Sequence, residues 1–150
     1  MNAADDLYRE LILDHNRSPR NFRVPAEATH RARGLNPFCG DEYDVGLIVD
    51  AGGAIREAGF CGQGCAISKA SASLMTEALR GQSATRAEEL FVAFQALVTG
   101  RYDADRDPAR LGALTAFRSV WQYPSRVKCA SLCWHAAHSA LARGENVSTE

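Results

Sequence analysis

The chain has 150 residues, enough for one compact domain with a sizeable core, and we expect a single domain over residues 1–150. A net charge of -1 gives no electrostatic footprint for nucleic acid, and no apolar run is long enough to cross a bilayer. The N-terminus lacks the basic and apolar regions of a secretory signal. We therefore expect a cytoplasmic protein that binds neither nucleic acid nor membranes.

The first half of the chain predicts a helix followed by an antiparallel hairpin. Apolar residues recur at helical spacing over residues 5–15, whereas residues 22–36 are basic and irregular. Alternating apolar residues predict strands over 43–50 and 54–60, joined by a tight turn at Gly52 and Gly53. Since neighbouring strands joined in this way are antiparallel, the pattern disfavours a parallel βαβ fold.

The second half of the chain predicts four helices, over residues 65–80, 85–100, 107–117 and 126–143. The spacing from Thr85 to Glu88 matches a capping box, and Asp107 with Pro108 is typical of a helix start. Residues 145–150 are expected to form a frayed tail. The elements together predict an α+β fold, in which a small antiparallel sheet has helices packed on one face.

Cysteine is unusually frequent for a cytoplasmic chain of this length. There are five: Cys39, Cys61, Cys65, Cys129 and Cys133. An odd number cannot pair fully within one chain, and a reducing compartment disfavours disulfides. A single buried cysteine usually acts as a small hydrophobe, but five together favour metal binding or thiol chemistry.

Three of the cysteines begin or interrupt a predicted element. Cys39 lies with Asp41 in the loop NPFCGD, Cys65 opens a helix, and Cys129 falls in the first turn of the last helix. Loops and helix N-termini at one end of a sheet can converge, and a helix N-terminus stabilises a thiolate. No Cys-x-x-Cys pair is present, so the spacing alone does not decide whether these residues share a metal.

Four stretches carry a more specific signal: LYRELILDHNRSPRN, NPFCGD, FCGQGCAISKASASLMTEALRG and RVKCASLCW. They cover about half the chain, and in sequence and order they resemble the IscU/NifU-type scaffold family, most closely its SufU branch. An extra segment between Arg101 and Val120, and Lys128 where IscU-type chains carry histidine, favour that branch. The chain has QYPSRVK in place of the Leu-Pro-Pro-Val-Lys chaperone motif, so that chaperone is not an expected partner.

The resemblance implies an IscU/SufU-like fold and a function in iron–sulfur cluster assembly. It implies that a metal, zinc in SufU-like proteins, is bound by Cys39, Asp41, Cys65 and Cys129. It further implies that a SufS-type cysteine desulfurase supplies sulfur as a persulfide to Cys39. The partners would then be that desulfurase and downstream iron–sulfur assembly proteins. The activity would be that of a zinc-dependent sulfurtransferase.

Zinc chemistry suggests how these ligands divide their roles. Coordination keeps a thiol ionised but makes it a poorer nucleophile, so a transfer site needs a ligand that can leave. We hypothesise that a partner side chain, such as a desulfurase histidine, replaces the loop residue Cys39, whose thiolate then attacks the persulfide. Asp41 would be the weakest ligand because it offers hard oxygen, although an aspartate after glycine can also serve only to cap a turn.

Two cations flank Cys129 in the sequence. Arg126 and Lys128 could simply be solvated, but positive charge is unfavourable at a helix N-terminus. We therefore expect Arg126 either to orient Asp41 through a charge-assisted hydrogen bond or to contact a partner.

The remaining cysteines and the histidines are expected to be mainly structural. Cys61 could relay a persulfide, but a half-buried strand end is the commoner role, and Cys133 is expected in the core. His30 is expected in an exposed loop, and the other histidines are expected to be structural: His15, His135 and His138.

Three functions remain open at this point. The first is the zinc-dependent sulfur carrier, which the branch features favour. The second is a scaffold for a transient [2Fe–2S] cluster on the same ligands. The third is a structural zinc protein, which the mixed set of three cysteines and one aspartate disfavours.

Overall fold

A computed structural model describes residues 3–103, 111–142 and 147–148. Its α-helices are α1 Ala3–Arg17, α2 Ala66–Leu79, α3 Ala84–Val98 and α4 Pro124–Ala142. Its strands are β1 His30–Asn36, β2 Asp41–Val49, β3 Ile55–Gln63 and β4 Val147–Ser148. Two 3-10 helices, Gly112–Phe117 and Val120–Gln122, precede α4.

The strands form one sheet in the order β3-β2-β1-β4. Both β1 and β3 pair with β2 in antiparallel fashion, which confirms the predicted hairpin and the predicted α+β class. The short β4 pairs with β1 in parallel through Val147 and Ser148. The expectation of a frayed tail is therefore wrong for these two residues, and the rest of that tail lies outside the described residues.

Strand β1 was not predicted, since residues 22–36 were expected to be irregular. Its exposure alternates with period two, but the buried positions hold Ala32, Gly34 and Asn36 rather than large apolar residues. The absence of a Cβ at Gly34 admits the Leu132 side chain of α4, whose Cγ would lie 3.0 Å from such an atom. Close helix packing here requires small residues, and small residues remove the apolar pattern that reveals a strand.

The core lies between the sheet and the helices. Helix α4 packs on β1 and β2, and α2 packs on β3. Among the largest buried side chains are Tyr43 and Phe60 from the sheet and Phe94 and Trp134 from the helices. The rings of Phe94 and Trp134 stack with centroids 4.5 Å apart, and full burial of each such side chain contributes roughly 1.5–3 kcal/mol.

The irregular segment that precedes β1 crosses the other face of the sheet. A Cβ at Gly59 would lie 2.0 Å from the carbonyl oxygen of Arg23, and one at Gly46 would lie 2.6 Å from Val24. Glycine at these two strand positions thus allows the chain to lie directly against the sheet.

Helix starts show where local sequence signals compete. Helix α3 begins one residue earlier than predicted, with Ser83 as its cap, because the Ser83 Oγ accepts from the Arg86 amide. The predicted cap at Thr85 is therefore wrong; Ser83 is also held by a bridge to Ala54. The predicted helix start at Asp107 lies outside the described residues, and residues 112–117 form a 3-10 helix.

Helix α4 begins at Pro124, two residues before the predicted start, so Cys129 lies in its second turn rather than its first. Proline is favoured at the first helical position because it has no N–H to leave unpaired. Among the described helices, none has both the length and the apolar character needed to span a membrane.

Candidate metal site

Residues from three parts of the fold meet at one end of the sheet. Cys39 lies in the loop between β1 and β2, Asp41 is the first residue of β2, and Cys129 lies in α4. Ligand atoms of these three residues all lie within 4.8 Å of one another. The Sγ atoms of Cys39 and Cys129 are 3.7 Å apart. The structure therefore brings together three of the four residues expected to bind a metal.

Residue Asn36 holds the loop that carries Cys39. Its backbone carbonyl accepts from the Cys39 amide at 3.3 Å and from the Gly40 amide at 2.9 Å. Its Oδ1 accepts from the Phe38 amide at 3.2 Å. Gly40 has a φ of 72°, which glycine adopts easily, and Cys39 is exposed.

Asp41 is completely buried, and its two carboxylate oxygens differ in their contacts. Oδ1 accepts from the Cys65 amide at 2.9 Å, whereas Oδ2 has no hydrogen-bond partner among the described residues. A buried carboxylate oxygen without a partner is costly, so the site favours a cation or a further donor.

The expected hydrogen bond from Arg126 to Asp41 is not present in the described part of the chain. The Arg126 guanidinium instead lies 4.4 Å from the ring centroid of Tyr123. Arg126 also lines the cavity beside the site. Tyr123 lies only three residues before Arg126 in the sequence. This local cation–π contact replaces the expected hydrogen bond to Asp41.

The fourth expected ligand, Cys65, caps helix α2. Its Sγ accepts from the Ser68 amide at 3.4 Å, and the Ser68 Oγ is 2.9 Å from the Tyr43 hydroxyl. The Cys65 thiol is not within the 4.8 Å group, but it borders the same cavity as Cys39 and Cys129. In this conformation Cys65 therefore stabilises the helix start beside the site.

Burial raises the pKa of the Cys129 thiol, and the neighbouring Asp41 and Cys65 side chains raise it further. A bound cation would have the opposite effect, because it stabilises the thiolate. Three sulfur donors and one carboxylate oxygen match the tetrahedral set that zinc prefers. The donor chemistry and the unpartnered Asp41 oxygen thus fit a zinc ion.

Close packing around Asp41 depends on Gly64. A Cβ at this position would lie 2.5 Å from both Asp41 Oδ1 and the Tyr43 hydroxyl, and 2.6 Å from the Ser68 Oγ. The sequence analysis assigned no role at the site to Gly64, Asn36, Tyr43 or Ser68. Their positions beside Asp41 follow from strand register and helix packing, which no local motif encodes.

The site opens into a cavity of about 760 Å³. Helix α1, the two 3-10 helices and the start of α4 border it, and its wall includes Ile12, Leu13 and Ile67. At the loop beside it, Phe38 is 77% exposed, with the Lys128 ammonium 5.2 Å from its ring centroid. The exposed residues Cys39 and Cys65, which border the cavity, can therefore be approached from outside the protein.

The other two cysteines lie elsewhere. Cys61 is half-buried in β3, opposite Asp44 of β2, and Cys133 is 1% exposed within the hydrophobic core. Both positions agree with the structural roles favoured from the sequence.

The histidines lie in structural contacts. His15 is buried with its Nδ1 2.7 Å from the Ser73 Oγ, and the His138 Nδ1 is 2.8 Å from Glu88. His135 packs against Phe91. The expectation of an exposed loop for His30 is wrong, because this residue begins β1 and is half-buried.

Comparisons with known proteins match nearly the whole chain. The family model described as NifU-like N terminal domain matches residues 7–130. The zinc-dependent sulfurtransferase SufU of Bacillus subtilis is 37% identical over 142 residues, 94% of this chain and 93% of that protein. The iron–sulfur cluster assembly scaffold protein IscU of Thermotoga maritima is 36% identical, over 90% of this chain and 92% of that protein.

A solved structure shares the fold. The crystal structure of a proposed iron–sulfur cluster assembly scaffold protein for the SUF system from Fervidobacterium islandicum AW-1 superimposes with a TM-score of 0.81. It is 31% identical, and the match covers 93% of this chain and 99% of that one.

Proposed function

Because this chain belongs to the family of NifU-like N-terminal domains, we propose that it is a zinc-dependent sulfur carrier of iron–sulfur cluster assembly. In this proposal, a SufS-type cysteine desulfurase delivers sulfur as a persulfide to Cys39, and downstream assembly proteins receive it. The observation that carries the proposal is the approach of Cys39, Asp41 and Cys129 to within 4.8 Å beside an open cavity. The name of the Bacillus subtilis relative supports both zinc and sulfur transfer.

The zinc ligands would be Cys39, Asp41, Cys65 and Cys129. When bound, zinc would keep the cysteine ligands in the thiolate form near neutral pH. Asp41 provides a hard oxygen among soft sulfurs, which favours a more labile site than four thiolates would give. The Cys65 amide holds the other oxygen of Asp41 and so orients the carboxylate.

Cys39 is the cysteine best placed to accept sulfur. Its thiol is exposed on a loop, whereas Cys129 is 5% exposed and the Cys65 thiol is engaged at a helix cap. The Cys39 thiolate would attack the terminal sulfur of the partner's persulfide. A sulfur–sulfur bond forms on Cys39, the sulfur–sulfur bond of the partner breaks, and the partner's cysteine leaves as a thiolate that takes up a proton.

The cavity and its rim support delivery by another protein. The apolar wall and the exposed Phe38 ring offer surface that a partner can cover. Arg126 lines the cavity, and Lys128 lies against the Phe38 ring. Covering this opening would exclude water from the persulfide during transfer.

The test is to incubate the zinc-loaded protein with a SufS-type desulfurase and cysteine, then alkylate and digest it for mass spectrometry. We expect one additional sulfur atom on the peptide that contains Cys39. C39S should abolish this product, whereas C61S, which removes a half-buried thiol outside the site, should leave the rate unchanged. Sulfur acceptance by C39S at the rate of the unmodified protein would overturn the proposal.

A second candidate function is assembly of a transient [2Fe–2S] cluster on the same residues. The similarity to the Thermotoga maritima scaffold protein favours it, and three cysteines with one carboxylate can ligate such a cluster. Anaerobic incubation with ferrous iron, desulfurase and cysteine should then give a coloured species that transfers its cluster to an apo-ferredoxin. A colourless protein that retains zinc and gains a persulfide supports the carrier instead.

A further inference from the structure

Asn36 is a buried side chain beside the site with an unsatisfied donor. The residue has no exposed surface, and its Nδ2 has no hydrogen-bond partner among the described residues. An amide N–H buried without an acceptor costs about 1–3 kcal/mol, so most such groups in folded proteins are paired. The position therefore calls for an acceptor that this conformation of the described residues does not provide.

The orientation of the Asn36 carboxamide is fixed by the loop. Its Oδ1 accepts from the Phe38 amide at 3.2 Å. A reversed amide would place two donors against each other, so Nδ2 is the atom left over. Asn36 thus has one polar atom that holds the Cys39 loop and one that is available for the site.

The nearest partner in register is Asp41. These two residues are direct partners across β1 and β2, and both are fully buried. Directly opposite side chains share a sheet face, with Cβ atoms about 4.5–5.5 Å apart. Asp41 Oδ2 is an acceptor without a partner, and Asn36 Nδ2 is a donor without a partner, so the unmet groups of the pair are complementary.

We propose that Asn36 is a positioning residue for the metal site, whose Nδ2 donates a hydrogen bond to Asp41 Oδ2 when the metal is bound. The proposal rests on the zinc site of the proposed function. A carboxylate oxygen has two lone pairs, so Oδ2 can serve the metal and Asn36 together. The backbone amide of Cys65 would then donate to Asp41 Oδ1 and the side-chain Nδ2 of Asn36 to Asp41 Oδ2. Both carboxylate oxygens of Asp41 would thus be oriented by the protein.

The direct test observes the side-chain amide protons of Asn36 by NMR during addition of zinc to the metal-free protein. The signals are assigned by their loss in N36S. We expect them to move downfield and to exchange more slowly with solvent as zinc binds. Asn36 signals that do not change while the protein takes up zinc would overturn the proposal.

A second test compares zinc affinity in N36S and in a matched control, N21S. Serine can still accept from the Phe38 amide but cannot extend to Asp41, so zinc affinity should fall about 10-fold or more. The control removes the Asn21 amide that donates to Thr76, away from the site, and should not change zinc affinity.

The free energy of unfolding of the metal-free variants distinguishes a positioning role of Asn36 from a role in folding. We expect N36S to lose no more stability than N21S, since its Nδ2 has no partner to lose. Unchanged zinc affinity in N36S, or a loss matched by N21S, contradicts the role of Asn36. Failure of the unmodified protein to bind zinc contradicts the proposed function instead, so the two outcomes are distinct.

Discussion

At the scale of single residues, the site is organised around the buried carboxylate of Asp41. The backbone of Cys65 holds one oxygen, and Gly64 leaves just enough space for the carboxylate beside Tyr43 and Ser68. The other oxygen has no partner among the described residues. Such a group weakens the metal-free protein and strengthens binding of a cation.

Replacing Asp41 with asparagine should therefore have opposite effects on the two states. D41N keeps an oxygen for the Cys65 amide but loses the anionic ligand. We expect zinc affinity to fall at least about tenfold, equivalent to about 1.4 kcal/mol, while the metal-free protein becomes no less stable. Competition with a chromophoric chelator and urea unfolding measure the two quantities.

The matched control is D44N, which removes an exposed carboxylate from the same strand. This variant should bind zinc as the unmodified protein does. Equal zinc affinity in D41N and D44N would return Asp41 to a purely structural role.

Sequence could predict the residues of the site better than their arrangement. The candidate ligands came from motif resemblance, and three of them do lie together. Asn36 was not predicted, because its unpaired amide exists only once β1 pairs with β2. Of the two roles expected for Arg126, the hydrogen bond to Asp41 is absent among the described residues, where the guanidinium lies over the Tyr123 ring. Contact with a partner stays a prediction.

At the scale of elements, helix α2 brings its N-terminus to the site. Cys65 is the cap of this helix and also a proposed zinc ligand, so one side chain would serve folding or metal binding according to its conformation. The bounds of this helix were predicted closely, as residues 65–80 against the observed Ala66–Leu79, because its apolar residues recur at helical spacing. Strand β1 was not predicted, because the close packing of α4 against it selects small residues, which leave no apolar alternation in the sequence.

Two substitutions at Cys65 separate these roles. C65S keeps a good helix cap and loses the thiolate, whereas C65A loses both. We expect the metal-free serine variant to be more stable than the alanine variant by about 1 kcal/mol, and zinc affinity to fall in both. Denaturant unfolding and chelator competition provide the two readouts; full zinc affinity in C65S would exclude Cys65 as a ligand.

The contact between α1 and α2 makes stability depend on pH. Burial, together with the positive charge of Arg20, lowers the pKa of His15 from its ordinary 6.5, although Glu77 opposes this shift. Well above pH 6.5 the histidine is neutral in both folded and unfolded chains. As the pH falls below 6.5 the unfolded chain takes up the proton first, so stability decreases toward the folded pKa.

H15Q should reduce this loss of stability between neutral pH and about pH 5. Urea unfolding of the metal-free protein at both pH values measures it, with H30Q as the control that retains the loss. A pH dependence unchanged in H15Q would show that other groups, such as the partly buried His135, dominate it.

At the scale of the whole molecule, the cavity joins segments that are far apart in sequence. Its border comes from α1, the 3-10 helices and α4, so no local pattern could have predicted it. The exposed Phe38 ring stands at the same end of the molecule. Large exposed aromatic side chains beside a cavity often anchor a protein partner.

F38S should therefore weaken the encounter with the proposed desulfurase partner without affecting metal binding. We expect the concentration of desulfurase required for half-maximal sulfur transfer to rise several-fold, with zinc content and thermal stability unchanged. Val92 of α3 is 58% exposed and does not border the cavity, so V92S is the control. An equal response of both variants would exclude a specific role for the Phe38 ring.

If Cys39 carries sulfur as proposed, the short connection between β1 and β2 also limits how far that sulfur atom can travel. Cys39 is only two residues from the start of β2, so a fully extended tether would move it by about 7 Å. A swinging arm that ferries cargo between distant centres is therefore impossible on this loop. Delivery instead depends on collision, and its rate should increase in proportion to the concentration of the acceptor until the acceptor saturates the protein.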